Sequence, residues 1–66
     1  MSKQIIVNGL LKYYEGIIAL AQGNIEIYME RSVGIGEHAD ILEAVDGELE
    51  KIAAAEDKIE VLKKYF

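Results

Sequence analysis

Apolar residues recur at positions 6, 7, 10, 11, 14, 17, 18, 21, 25 and 28, the i, i+3, i+4 pattern of an amphipathic helix and not the alternation of a strand. A second series runs through 42, 45, 49, 52, 55, 59, 62 and 66. The spacing predicts helices over about 3–31 and about 37–65, with a turn at 32–36. Ser2 is placed to cap the first helix, and Arg31 puts a positive charge in its last turn, where the helix dipole favours it. Gly34 and Gly36, within Ser32-Val33-Gly34-Ile35-Gly36, can end that helix and reverse the chain. Acidic Glu37, Asp40 and Glu43 open the second helix, and Lys63 and Lys64 complement the dipole at its end. Each helix is about 40 Å long, so a five-residue connection leaves an antiparallel fold-back as the simple geometry. The expected fold class is all-α, an antiparallel αα-hairpin in a single domain.

The two helices are not equally amphipathic. At about 100° per residue the apolar arc of the second helix spans roughly 180°, whereas that of the first spans roughly 240°. Only a narrow polar strip of Asn8, Lys12, Glu15, Gln22, Glu26 and Glu30 interrupts the first. One partner helix does not cover an arc that wide. Three glycines fall seven residues apart on its flank, at Gly9, Gly16 and Gly23. Each costs a helix interior about 1 kcal/mol relative to Ala, and a second helix approaching closely along the seam would repay it. The expectation is a homo-oligomer of four-helix-bundle type, with an interface through Gly9, Gly16, Gly23, Leu10, Tyr13, Ile17, Leu20 and Ile27. On the second helix, Gly47 falls on the outer face, and Glu48 and Glu56 fall near the apolar sector, where carboxylates at the edge of a seam commonly reach water.

Composition sharpens this picture. The chain has 66 residues, no cysteine and no proline, so neither disulfides nor thiolate metal ligands can reinforce a core this small, and self-association is what remains. A net charge of -5 disfavours duplex nucleic acid and anionic membranes as partners. The longest uncharged run, Gly16 to Ile25, is half what a membrane-spanning helix needs, and the N-terminal segment does not read as a secretory signal, so a soluble intracellular protein is expected.

Catalytic and cofactor chemistry finds little support. His38 is the only histidine and adjoins Glu37, without the spacing of helical metal motifs; it reads as a capping or loop-packing residue. Ser32 has no base or acid at a diagnostic spacing. The Gly-x-Gly of the turn lacks a preceding strand, a third glycine and a Lys-Ser/Thr pair, so it is turn chemistry and not a nucleotide fingerprint. The expectation is a non-enzyme with no metal and no cofactor. The residues suited to hold a phosphate and stack a base are Lys12, Tyr28, Arg31, Lys63, Lys64 and Tyr65, and they fall at opposite ends of a hairpin.

The segment from Ser32 to Asp40, the run Ile52-Ala53-Ala54-Ala55-Glu56-Asp57-Lys58 and the ending Lys64-Tyr65-Phe66 resemble small helical proteins of T4-like marine cyanophages. Leu10-Leu11-Lys12-Tyr13-Tyr14-Glu15-Gly16 is similar to their first helix. The resemblance implies a viral protein made in a host cytoplasm and acting by binding. A host protein is the leading partner; a nucleotide-like signal of antiviral defence sequestered between subunits, or a place in the virion, are the alternatives.

Overall fold

A computed structural model describes residues 2–31 and 38–66, with the side chains of residues 31, 38 and 39 left aside. Helix α1 (Lys3–Arg31) and helix α2 (His38–Tyr65) pack against each other as a helical hairpin 51 Å long and about 15 Å across. Both helices therefore match the expected spans closely. The turn expected at 32–36 lies outside the described residues.

The start of α1 is fixed by its cap. The Ile5 amide donates to Ser2 Oγ at 3.3 Å, and the Ile6 amide donates to the Ser2 carbonyl at 3.2 Å, which satisfies donors that the first turn would otherwise leave free. At the other end of the hairpin sequence, Lys63 and Lys64 sit in the last turn of α2. The Phe66 amide closes that turn by donating to the Leu62 carbonyl at 3.0 Å.

The hairpin seam follows a heptad rhythm. On α1 the covered positions are Val7, Leu10, Leu11, Tyr14, Ile17, Ile18, Ala21 and Ile25; on α2 they are Ile41, Ala44, Val45, Glu48, Ile52, Ala55, Ile59 and Leu62. Ala21 is 1% exposed and Ala55 3%, the two deepest side chains of the seam. Small residues at the centre let two backbones approach closely, and long apolar residues fill the ends. Ile25 completes the buried set.

Two sequence expectations for α2 need correction. Leu42 and Leu49 are exposed, as is Phe66, although all three belong to the apolar series read from the sequence. Ile41, Ala44 and Glu48 take the seam instead. The reason is rotational: α2 turns so that Ile41, Glu48, Ala55 and Leu62, spaced by sevens, face α1, and this carries positions 42 and 49 about 100° away. Glu48 is the second correction. Its side chain is 13% exposed and lies inside the seam instead of reaching water at an edge, whereas Glu56 is exposed.

Candidate functional site

The exposed side of α1 has its own order. Ile6, Tyr13, Leu20 and Ile27 recur every seven residues and are 46–69% exposed. Gly9, Gly16 and Gly23 fall between them, three residues after one and four before the next, so large apolar residues and glycines alternate along one stripe. This is the spacing of a coiled-coil seam, repeated on a face that is mostly exposed in the hairpin. The covered seam of α1 lies about 130° around the helix from this stripe, at roughly 103° per residue. Ile5 adds a further exposed apolar side chain at its N-terminal end.

Nothing among the described residues explains the glycines. A Cβ added at Gly9, Gly16 or Gly23 would meet nothing within 4 Å, and the same holds for Gly47 on the outer face of α2. Gly23 alone is half-buried; Gly9 and Gly16 are exposed. Of the other residues expected at an interface, Tyr13, Leu20 and Ile27 are exposed on the stripe. Leu10 and Ile17 are half-buried, on the flank of the hairpin seam nearer the stripe.

At one end the stripe adjoins α2. Ile6 and Leu10 share a shallow concavity with Lys3, Val7, Leu62 and Phe66, so the Ile6 side of α1 and the Phe66 side of α2 are one side of the hairpin. Phe66 belongs to the series Val45, Ile52, Ile59, Phe66, and Leu42 and Leu49 precede the first two of these by three residues. Val45, Ile52 and Ile59 share the heptad position of Phe66, whereas Leu42 and Leu49 stand about 50° further from the seam, at one position with Glu56 and Lys63. Leu42 and Leu49 are 70% and 52% exposed. Apolar side chains are thus exposed on both helices, as the stripe of α1 and as Leu42 and Leu49 on α2.

The residues suited to a phosphate and a base do not converge. Lys63, Lys64 and Tyr65 stand at the C-terminal end of α2, while Tyr28 stands at the far end of α1, along a molecule 51 Å long. Lys12 is exposed on the polar side of α1. The placement of the Arg31 and His38 side chains lies outside the described residues. The Lys64 ammonium lies 5.3 Å from the Tyr65 ring centroid, and Lys63 and Lys64 share a shallow depression with Glu56, Ile59 and Glu60. Two carboxylates beside two ammonium groups leave little net attraction for a phosphate. Among the described residues no group of three or more His, Asp or Glu is placed to hold a metal ion, and no helix is long and apolar enough to cross a membrane.

One polar cluster escaped the sequence reading. Asn24 Nδ2 donates to Glu48 Oε1 at 3.1 Å across the seam, and Lys51 Nζ reaches the same oxygen at 3.2 Å from the next turn of α2. Glu48 Oε2 is buried with no hydrogen-bond partner among the described residues. The contact locks the helices in one axial alignment, because sliding either helix by a turn strips Glu48 of Asn24. The same alignment sets the Lys58 ammonium 5.6 Å from the centroid of the Tyr14 ring. The signal was available in the sevens: Glu48 shares its position with Ile41, Ala55 and Leu62, and Asn24 shares one with Leu10 and Ile17. Comparison of the chain with known proteins returns no matching family model, no matching curated protein and no matching solved structure.

Proposed function

We propose that this chain is a small non-enzymatic binding protein that acts as a homo-oligomer on a host protein, the role implied by its resemblance to cyanophage proteins. The observation that carries the reading is the excess of exposed apolar side chains that both helices carry. Exposed apolar patches of this extent on a small chain mark surfaces meant for protein. The apolar stripe of α1 serves self-association. Leu42 and Leu49 on α2 serve the host partner, because the two seams of α1 lie about 130° apart and not at the right angle of a square bundle, so a copy seated on α1 leaves the α2 leucines uncovered.

The test uses the intact chain, tagged at one end, as bait in host extract. A double variant, Leu42→Lys with Leu49→Lys, should keep its oligomeric state and lose the protein that the native chain retains. Equal retention by both chains would overturn the reading, as would no specific retention at all. Calorimetry with cyclic and linear nucleotides at low salt runs beside it. Heat from a nucleotide, weakened by salt, would replace the host-protein reading by sequestration of a nucleotide signal.

A further inference from the structure

We infer that the exposed seam of α1 is occupied by α1 of a second copy lying antiparallel to it, in a single register set by Lys12 and Glu26. The inference rests on the oligomeric part of the reading above and specifies its geometry. It starts from the large residues. Ile6, Tyr13, Leu20 and Ile27 remain about half or more exposed in the hairpin, at a spacing that another helix matches along its whole length.

Direction follows from what each layer would hold. In a parallel pair every residue meets its own counterpart, so Tyr13 stacks on Tyr13 and Gly16 on Gly16 of the second copy, giving crowded and empty layers in alternation. An antiparallel pair places three of the four large residues opposite a glycine, with Ile6 opposite Glu30 at the end of the seam. Tyr13 then meets Gly23, Leu20 meets Gly16, and Ile27 meets Gly9 of the second copy, and two-fold symmetry repeats each contact. The glycines acquire a reason that the hairpin does not give them: there, an added methyl meets open space.

A second antiparallel register, one large residue along, also alternates large with small, and charge decides between the two. The residues just before Tyr13, Leu20 and Ile27 flank the seam: Lys12, Ala19 and Glu26, all exposed. In the register given above, Lys12 faces Glu26 of the second copy on one side of the two-fold axis, Glu26 faces Lys12 on the other, and Ala19 meets Ala19 on the axis between them. The alternative register sets Lys12 against Ala19 and Glu26 against Ile5, and pairs no charge. The seam from Ile6 to Ile27 is about 32 Å long and covers on the order of 500 Å² on each copy, which reaches the roughly 1,000 Å² total of a stable specific interface.

Charge exchange tests the arrangement. Lys12→Glu alone, or Glu26→Lys alone, sets two like-charged pairs across the axis and should weaken self-association about tenfold in low salt. Mixing the two variant chains in equal amounts should restore native affinity, because the mixed pair again matches opposite charges at both positions. A second measurement does not depend on affinity. The chain lacks cysteine, so a Lys12→Cys chain mixed with a Glu26→Cys chain should join through a short bis-maleimide faster than either joins to itself. Failure of mixing to restore affinity, or self-joining of the Lys12→Cys chain at the faster rate, would overturn the antiparallel register while leaving an oligomer of another geometry. A native chain that sediments as a monomer at high micromolar concentration would overturn the oligomer itself.

Discussion

Helix α1 carries two apolar seams of the same period, and they are built from different residues. The seam covered by α2 uses Val7, Tyr14 and Ala21 with Leu10, Leu11, Ile17, Ile18 and Ile25, and it narrows to alanine at its centre, where Ala21 and Ala55 lie buried. The uncovered seam alternates Ile6, Tyr13, Leu20 and Ile27 with three glycines. Where the contact partner is α2, close approach is achieved with alanine, which keeps helix propensity intact. Where glycine stands, the helix sacrifices about 1 kcal/mol at each position, and within the hairpin nothing offsets it. The contrast teaches how one helix sets large residues beside alanine on the face that α2 covers and beside glycine on the face left exposed.

The largest effect should come from breaking the covered seam. Ile25→Ala removes a buried side chain and should destabilise the fold by about 2–5 kcal/mol, read by chemical denaturation at fixed protein concentration. The same truncation on the uncovered seam, Leu20→Ala, should cost as much only where a second copy covers it; in the hairpin alone its loss should be within about 0.5 kcal/mol. Comparing the two variants across a hundredfold range of protein concentration measures the difference between the faces directly.

Glycine supplies a test of sign. Gly16→Leu should overpack an occupied seam and destabilise the assembly by about 1–3 kcal/mol, whereas on a bare helix it should stabilise by somewhat under 1 kcal/mol through helix propensity. A higher melting temperature for this variant at every concentration would refute the second seam.

The polar cluster sharpens the covered face further. Asn24→Leu deprives Glu48 of its cross-helix donor and should cost about 1–2 kcal/mol, while the double change Asn24→Leu with Glu48→Leu should recover that loss or exceed it. The expected penalty of the double variant is in uniqueness of alignment, seen as broadened or doubled amide resonances along the seam. The smallest effect lies at the helix start. Ser2→Ala removes the side-chain acceptor of the Ile5 amide and should cost about 1 kcal/mol, with faster hydrogen exchange confined to the first turn.

Much of the fold was legible in the sequence because helix formation and termination are local events. Ser2 capped the helix it was expected to cap, and the spans Lys3–Arg31 and His38–Tyr65 follow from uninterrupted periodicity on either side of a glycine-rich connection. The candidate site was legible in outline. Of the residues grouped by spacing as an interface, Tyr13, Leu20 and Ile27 are exposed in the hairpin and Leu10 and Ile17 half-buried, a distinction that a wide apolar arc does not make by itself. The phosphate-binding candidates were expected at opposite ends, and Lys63, Lys64 and Tyr28 stand there.

What the sequence by itself determined is therefore periodic: two helices, their ends, and an apolar surplus on the first. The tertiary structure decided rotation. Leu42 and Leu49 fit an apolar arc on α2 as well as Ile41 and Ala44 do, and the choice fell to a contact between residues twenty-four positions apart, Asn24 with Glu48, together with the close approach of the helices at Ala21 and Ala55. A helix of period 3.6 offers several neighbouring faces with nearly equal hydrophobicity, so the face that turns inward is chosen by how two particular surfaces interlock, which depends on both helices at once.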